Sequence, residues 1–549
     1  MTFAAILLIA APVIPFLLAL ACAFKSVRRF APLLLAPAAV PGLLAALLVP
    51  RDVFVLVAPA PFRISFFLDV PGAILLGGAA LLWIAAGAYA ATYFAKDPRR
   101  GGFCVWWLLT LSGSFGVFIV ADVASFYLAF ALVSLAAFGL SAHDDTAEAR
   151  RAGIVYLTLT LFGEALLIAA FVMLASGSPQ ANPLIRDAVA QWPLSPWRDT
   201  ILLLLVVGFG LKMGLVPLHV WMPLAHSVAP VPASAVLSGI VVKAGVIGLL
   251  RFLPLGVALP HWGLGLSIAG IITAYYGIAL GLTQTHPKRV LAYSTVSQMG
   301  VVATVIGGAL VQGDAGAAAI AAFYAANHIL LKGALFLAVG IAAASAPGAV
   351  MPVLGLAGLL GLSLAGLPFT GGALAKLAIK GPMGEGAAGF LLALSAAGTT
   401  VLMAKFVLLL RDSAKGRAAF PLPSQRLMAP WIVLSVLALA LPFTLYPLVT
   451  GERIASAFAL VNVEKTAVPV LLGLALAFAL HQRGPALPEV PAGDVLVLAE
   501  RLGPLLARGL AGIGRLDDVL RRWGVAGALL AGLVIALVSA LAIAVRSAP

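Results

Sequence analysis

Four lysines stand alone inside apolar runs long enough to cross a bilayer, at nearly matching spacings in the two halves of the chain. They are Lys212 and Lys243, then Lys376 and Lys405. An ammonium group in hydrocarbon costs at least ~3 kcal/mol on insertion scales. Such a group is tolerated where it faces a wet cavity, pairs with an acid or gives up its proton. Repeated lysines of this kind indicate a path for protons or ions.

An acid in the preceding apolar run is the candidate partner of the first lysine. Glu164 precedes Lys212 by the same interval at which His328 precedes Lys376. A nonpolar site favours a neutral lysine and a nearby carboxylate favours a charged one, so moving the acid or its hydration toggles the proton. The sequence therefore predicts that Glu164 and Lys212 face each other. The alternative is that Glu164 satisfies polar backbone or faces a loop.

His328 and Lys332 lie one helical turn apart in the second half, hence on one helix face. Histidine titrates near neutrality, which suits a relay between lysines. A neutral histidine bonded to a backbone carbonyl is the alternative, and the neighbouring Lys332 favours the relay. Two residues are too few for a metal site.

Each half has a proline-interrupted helix beside its first lysine, with Pro217 and Pro223 in the first half and Pro368 in the second. Proline removes a backbone donor and clashes with the carbonyl four residues earlier, which leaves polar backbone free at membrane depth. Such breaks survive where they are buried in protein or line a water cavity. His219 and His226 flank the first break, either at a cavity mouth or, as we favour, packed at the membrane interface.

The depth of two of the lysines can be predicted from their position in the apolar runs. A long apolar stretch precedes both Lys243 and Lys405. A lysine near a helix end extends its amine to the membrane surface. Since neither residue lies near the start of its run, we predict that both lie near the middle of the membrane.

The composition requires a membrane environment. Of the 549 residues, 62% are hydrophobic and 10% are charged, and the mean hydropathy is +1.11. Soluble globular proteins are far more polar. About sixteen apolar stretches reach the ~20 residues that a spanning helix needs, and they lack the alternation of a membrane β-barrel. We predict an all-α polytopic membrane protein in which helices seven and twelve are broken.

The lysine spacing divides the helices into two copies of one five-helix unit. Helices 4 to 8 match helices 9 to 13, and an odd helix count makes the second copy inverted, as in many secondary transporters. A later segment carries too many arginines to span, so it either clamps a neighbour or lies on lipid. The predicted segments are N-terminal helices at 1–102, the first repeat at 103–255, the second repeat at 256–412, helices 14 and 15 at 413–493, this amphipathic helix at 494–523 and a last span at 524–549.

The net charge of +14 is mostly a signal of topology. Lys and Arg are about twice as frequent after odd-numbered helices as after even-numbered ones. The positive-inside rule then puts the odd loops and the amphipathic helix in the cytoplasm and both termini outside. The basic residues are expected to contact lipid headgroups rather than nucleic acid. The first run has no basic residue before it and is predicted to be a retained helix.

Cofactor chemistry finds little support in the sequence. Cys22 and Cys104 form no C-x-x-C pair and leave no framework for an iron–sulfur cluster, a zinc site or a disulfide. No glycine-rich phosphate loop follows a strand, so ATP-driven transport is not expected. We expect no cofactor, no metal and no redox chemistry on this chain.

Four segments resemble the antiporter-like membrane subunits of respiratory complex I, of the multisubunit sodium/proton antiporters and of the group 4 membrane-bound hydrogenases. These segments run from Gly208 to His226, from Ala229 to Lys243, from Lys288 to Gln298 and from His328 to Lys332. The part from Pro217 to Lys243 looks most like the large subunits of hydrogenase-type complexes. The resemblance implies two inverted repeats, a central polar axis, and transport of protons or sodium driven by an attached redox module.

The resemblance also implies roles for single residues. The family's helix-seven and helix-eight lysines fall on Lys212 and Lys243, its helix-eleven histidine and lysine on His328 and Lys332, and its helix-twelve lysine on Lys376. One position departs from the family pattern, because the fifth-helix glutamate that pairs with the helix-seven lysine is replaced by Ala131. Either Glu164 substitutes for it from the next helix, or the first half-channel is impaired.

The leading hypothesis is a proton (or sodium) translocating subunit of a multisubunit energy-converting complex in the plasma membrane of a prokaryote. Its expected partners are other membrane subunits, further antiporter-like subunits among them, and a redox or carbon-hydrating module. One alternative is the membrane subunit of a two-component inorganic-carbon uptake system, and another is a structural subunit that has lost conduction. The predicted pathway comprises Glu164, Lys212, Lys243, His328, Lys332, Lys376 and Lys405.

Overall fold

The computed structural model describes residues 2–497, except 59–62, 179, 181, 193–194, 385, 415–422, 484–487, 492 and 494. Apart from 495–497, the predicted amphipathic helix at 494–523 lies outside the described residues, as does the predicted last span at 524–549.

Helices dominate the described chain, and 13 of them are long and apolar enough to cross a membrane. Two of these spans are composite: Ala31–Leu48 includes a 3₁₀ turn at Pro37–Ala39, and Val231–Phe252 includes a π-helical turn at Leu237–Val241. In chain order the helices are α1 (Phe3–Ala21), α2 (Lys25–Arg28), α3 (Ala31–Leu34), α4 (Val40–Leu48), α5 (Val70–Tyr93), α6 (Arg100–Ile119), α7 (Val123–Ser141), α8 (Ala147–Ser176), α9 (Ile185–Gln191), α10 (Arg198–Met213), α11 (Trp221–Val228), α12 (Val231–Val236), α13 (Lys243–Phe252), α14 (Pro260–Leu282), α15 (Pro287–Gln312), α16 (Ala317–Ala344), α17 (Met351–Ala365), α18 (Gly371–Ala378), α19 (Lys380–Met383), α20 (Ala387–Ser413), α21 (Gln425–Thr450), α22 (Ile454–Ala457) and α23 (Leu460–Arg483).

The prediction of a polytopic helical membrane protein is confirmed. The seventh and twelfth predicted runs form broken helices, α10 with α11 and α17 with α18, and the sixteenth lies outside the described residues. The other predicted runs are the 13 spans.

Both broken helices end their first segment in the same way. Gly214 has φ +80° and Gly366 has φ +100°, in the left-handed region that favours glycine. The next residue in each case bonds back into the helix, Leu215 N to Gly210 O and Leu367 N to Leu362 O, both at 2.9 Å. This is the hydrogen-bond pattern of a Schellman motif, which satisfies carbonyls that the break would otherwise leave free.

The three prolines predicted to break helices differ in their positions. Pro217 and Pro368 lie in the two breaks, as predicted. For Pro223 the prediction is wrong, because this residue lies in the first turn of α11. An N–H at that position has no acceptor within the helix, so proline is tolerated there and does not interrupt the helix.

Glycines allow α14 and α15 to pack backbone against backbone. A Cβ atom added at Gly270 would lie 2.6 Å from Gly300 O, and one added at Gly277 would lie 2.6 Å from Ser297 N. Small residues that permit such approach are the usual contact between membrane helices. The packing holds α15, which carries several buried polar residues, in the interior of the bundle.

A β-hairpin follows α4, and the prediction of helices alone missed it. Strands β1 (Phe54–Ala58) and β2 (Ile64–Phe67) pair antiparallel. Ser65 of β2 is held by Asp122, the N-cap of α7, which accepts from Ser65 N at 2.8 Å and from Ser65 Oγ at 2.7 Å. The hairpin is thereby fastened to the ends of the spanning helices.

Candidate ion pathway

The first pathway lysine contacts a tyrosine, not a carboxylate. Lys212 lies in the last turn of α10 and is 2% exposed. Its Nζ donates to Tyr156 Oη at 3.0 Å, and that hydroxyl donates to Ser134 O at 2.7 Å. The ring centroid of Phe130 lies 5.8 Å from Nζ, close enough for a cation–π attraction. Two aromatic rings therefore surround the amine.

Glu164 shares this pocket without touching the amine. Its side chain on α8 is buried at 5% exposure, and its charge acts on that of Lys212. In the described part of the chain the ion pairs within 4.0 Å do not include these two residues, and Glu164 Oε1 has no hydrogen-bond partner. The predicted acid and base are thus near enough for their charges to interact, without a direct ion pair between them.

The centre of the bundle joins the two halves of the chain through one short contact. Lys243 Nζ lies 2.6 Å from His328 Nδ1, and the two residues are 0% and 1% exposed. An N···N hydrogen bond needs a proton on one atom and a lone pair on the other, so an ammonium and an imidazolium cannot both be present. The pair can therefore hold at most one excess proton, in a site closed to bulk water.

A π-helical turn prepares the position of Lys243. This turn covers Leu237–Val241, just before α13, and Ser238 O within it accepts from Lys243 Nζ at 3.3 Å. The Ser238 hydroxyl in turn lies 2.7 Å from Thr295 Oγ1 on α15. Single π turns within helices are frequent at functional sites.

Lys332 and His226 complete this central cluster. Lys332 is 0% exposed and donates to Leu291 O at 2.9 Å. Both ring nitrogens of His226 are buried without a hydrogen-bond partner among the described residues, and the charges of Lys332, Lys288 and Lys243 act on the ring. The expectation of interfacial packing is wrong for His219 and His226, since both are 0% exposed.

Lys376 lines a separate cavity of about 60 Å³, large enough for several waters. It lies on α18, after the break, and its aliphatic stem packs against the break glycine: a Cβ at Gly366 would lie 2.6 Å from Lys376 Cδ. Lys380 and Lys465 also line this cavity. Lys212, by contrast, lies before its break, so the two lysines occupy different segments of their broken helices.

The prediction of a mid-membrane position is wrong for Lys405. This residue is only partly buried, and its amine donates to the carbonyl of Leu282, the last residue of α14. The charge of Glu489, in the segment after α23, also acts on it. Lys405 therefore lies at the level of a helix end, because helix register against α14 sets its depth. Lys243, in contrast, is 0% exposed.

Buried charges with a structural role are fully bonded and differ from those of the pathway. Arg251 makes two bonds to Asp69, at 2.8 and 3.0 Å, and also donates to three carbonyls between 117 and 120. Glu164 Oε1 and His328 Nε2, by contrast, have no hydrogen-bond partner in the described part of the chain. An unpaired buried polar atom costs about 1–3 kcal/mol, which marks these atoms as functional candidates. No cluster of metal ligands occurs among the described residues.

Sequence reasoning missed the neutral residues that surround the candidate lysines. Tyr156 and Thr295 are hydroxyl residues inside apolar runs, and nothing in their spacing sets them apart from ordinary packing residues. The π turn at 237–241 carries no clear signal either. His226 was singled out but given the wrong surroundings, because its burial depends on α16, which is remote in the chain.

The family model described as NADH:quinone oxidoreductase/Mrp antiporter, TM, matches residues 120–403, slightly more than half of the chain. This match covers every predicted pathway residue except Lys405.

Two bacterial relatives with described roles each match about half of this chain. Hydrogenase-4 component B of Escherichia coli K12 is 31% identical over 47% of this chain and 40% of its own length. A Na(+)/H(+) antiporter subunit of Bacillus subtilis 168 is 31% identical over 52% of this chain and 39% of its own length. The chain thus spans two fifths or less of the length of these relatives.

Two solved structures share the fold. A chain of the Mrp complex from Dietzia sp. DQ12-45-1b superposes with a TM-score of 0.74 at 23% identity, over 98% of this chain and 63% of that one. A chain of the archaeal membrane-bound sulfane sulfur reductase gives 0.67 at 19% identity, over 86% of this chain and 99% of that one. The family resemblance predicted from the sequence motifs is confirmed by the match to the family model, and the two solved structures share the fold. The chain belongs to the NADH:quinone oxidoreductase/Mrp antiporter transmembrane family.

Proposed function

We propose that the chain is the ion-translocating, antiporter-like subunit of a multisubunit membrane complex. Protons, or sodium coupled to them, move along buried bases that run through both halves of the bundle. Other membrane subunits and a redox module are the proposed partners. The residues of the proposed path are Glu164, Lys212, Lys243, His328, Lys332 and Lys376, with Lys405 at the helix end beside Leu282.

The contact between Lys243 and His328 carries this proposal. It joins residues 85 positions apart, one from each predicted repeat, at 2.6 Å in a site closed to bulk water. Two titratable bases in direct contact can exchange a proton without the desolvation that isolated buried charges require. A purely structural contact between these helices gains nothing from placing two bases together.

The proposal is tested by Lys243→Met and His328→Gln in the intact complex. Each removes a titratable group while keeping the size of the side chain, and each should slow pumping on the order of a hundredfold. Pumping is measured by quenching of a pH-sensitive dye in vesicles at matched assembly. Lys25→Met, at an exposed lysine on α2, is the control. Pumping at the wild-type rate in both axis variants contradicts the proposal.

A structural subunit without conduction is the second candidate, and Ala131 is the observation that favours it. No carboxylate occupies the fifth-helix position that the family resemblance predicts. Against this reading, Lys212, Lys243 and Lys332 are all kept at 2% exposure or less. A scaffold gains nothing from buried amines that cost several kcal/mol each.

The chain is an integral membrane protein, and we propose the plasma membrane of a prokaryote with both termini outside. The distribution of Lys and Arg between alternate loops supports this orientation. Cysteines introduced at Asp52 and Lys96, both exposed, should react with an impermeant maleimide from the outside and from the cytoplasm respectively. The native Cys22 and Cys104 are buried. The reverse pattern of labelling contradicts the orientation.

An inverted repeat remains part of the proposal. The matching Schellman motifs at Gly214 and Gly366 support two related units at 103–255 and 256–412. The units have diverged around their lysines, since Lys243 is central while Lys405 lies at a helix end.

A further inference from the structure

Three side chains form a buried hydrogen-bonded chain in the second half of the bundle. Tyr324 Oη donates to Gln298 Oε1 at 2.5 Å, and Gln298 Nε2 donates to Thr399 Oγ1 at 3.3 Å. The Thr399 hydroxyl then donates to Ser395 O at 2.9 Å, which ends the chain on backbone. Tyr324 is 4% exposed, and Gln298 and Thr399 are 1% exposed.

The three hydrogen-bonded side chains lie between the central cluster and the cavity of Lys376. Tyr324 precedes His328 by one turn of α16. On the other side, Val301 and Ala396 line the cavity, one turn from Gln298 on α15 and one turn from Thr399 on α20. The three hydrogen-bonded side chains thus extend from the α16 turn before His328 to the α15 and α20 turns beside the cavity.

The chemistry of the middle residue decides what this chain conducts. A hydroxyl accepts a proton on its lone pair and releases its own, so Tyr324 and Thr399 can each relay. The amide of Gln298 accepts only at its oxygen and donates only from its nitrogen, which has no free lone pair. A proton that arrives at Oε1 cannot leave from Nε2 unless the amide itself is ionised. The hydrogen bonds through the three side chains are continuous, yet they do not pass a proton from one end to the other.

Resting on the proposed function, we propose that Gln298 keeps the second half of the pathway proton-tight while Tyr324 is bound to it. Conduction then requires Tyr324 to leave Gln298, so that water bridges His328 to the Lys376 cavity. Gln298 is a positioning residue in this scheme, because it holds Tyr324 and carries no proton itself. While Tyr324 is bound to Gln298, protons do not leak through the second half of the pathway when the complex is not driven.

Gln298→Glu tests the proposal, because it keeps the shape of the side chain and replaces the amide by a carboxyl group that can relay a proton. A carboxyl group accepts a proton on one oxygen and releases it from the other to Thr399 Oγ1, and the hydroxyl then turns from Ser395 O and releases its own proton toward the cavity. Passive proton entry into vesicles of the intact complex, driven by a potassium diffusion potential, should rise on the order of a hundredfold. Gln298→Met also releases Tyr324, but its apolar side chain excludes the bridging water and adds no relay, so this variant should stay tight. Gln312→Glu, on the same helix but bonded to Pro382 O, is the control for added charge.

The leak and driven pumping are measured on the same vesicles. A leak in Gln298→Glu that disappears in the double variants with Lys376→Met and with Thr399→Val supports the proposal. A pumping complex in which Gln298→Glu is as tight as wild type overturns it and leaves the proposed function intact. If the complex does not pump, or if Lys376→Met pumps at the wild-type rate, the proposed function is overturned. This further proposal is then overturned with it.

Tyr324→Phe provides a second variant in case a buried carboxyl prevents assembly. It keeps the ring and removes only the hydroxyl, so Gln298 Oε1 is left to bind water. We expect a leak above that of Gln298→Met at matched assembly. Equal leak in Tyr324→Phe and Gln298→Met overturns the proposal.

Discussion

At the scale of single residues, Lys212 is bonded by a neutral hydroxyl and lies near a carboxylate. The amine donates to the neutral hydroxyl of Tyr156, whose proton is already committed to Ser134 O. This hydroxyl orients the amine but supplies no negative charge. Glu164 is the carboxylate whose charge acts on Lys212. The family resemblance predicts a single glutamate, at the Ala131 position of α7, that both orients the amine and supplies the charge. In this protein the two roles are assigned to two residues of α8.

This division predicts different effects for two conservative substitutions. Glu164→Gln removes the charge and should slow pumping on the order of tenfold or more. Tyr156→Phe removes one hydrogen bond and should slow pumping less, with a loss of about 1 kcal/mol in stability. Dye quenching and thermal unfolding of the intact complex measure both effects. A larger pumping defect in Tyr156→Phe than in Glu164→Gln contradicts this assignment of roles.

At the scale of elements, the second broken helix positions Lys376 through its glycines. Gly366 needs its left-handed backbone and also makes room for the lysine stem. Gly372 admits no side chain, because a Cβ there would overlap Ser363 O. The two glycines thus fix where α18 begins and where its lysine points.

Gly366→Ala should disturb the lysine more than the fold. The left-handed conformation costs about 1–2 kcal/mol for a residue other than glycine, and the added Cβ displaces the Lys376 stem. We expect assembled complex with reduced pumping, whereas Gly372→Ala should fail to assemble. Gly355→Ala on α17 is the control, since a Cβ there meets nothing within 4 Å. Wild-type pumping by Gly366→Ala contradicts this role of the break.

The sequence was sufficient for those elements whose signal is local. Spanning helices follow from continuous apolar runs, and the breaks at Gly214 and Gly366 follow from glycine and proline in sequence. The hairpin after α4 was missed because the predominance of apolar helices obscured two short strands.

The geometry of the site could not be predicted in the same way, because it depends on contacts between distant residues. The Lys243 contact with His328 and the depth of Lys405 depend on the register of one helix against another. Hydroxyl residues such as Tyr156 and Thr399 give no signal until their partners are known. The charged residues could be named from sequence because membrane charges are rare.

At the scale of the whole molecule, the two halves differ in how completely they match the family pattern. The first half has Ala131 of α7 where the resemblance predicts a carboxylate, and Glu164 makes no ion pair with Lys212. The second half keeps His328 and Lys332 in the central cluster and Lys376 beside a cavity. Conduction should therefore depend more on the second half than on the first.

The most direct test compares Lys376→Met with Lys212→Met in the intact complex. Methionine keeps length and apolar bulk and deletes the titratable amine, so the effect reports charge rather than packing. Pumping is followed by pH-dye quenching at matched assembly. We predict that Lys376→Met abolishes pumping and that Lys212→Met reduces it. Undiminished pumping in both variants would contradict ion translocation by this chain and favour the structural subunit.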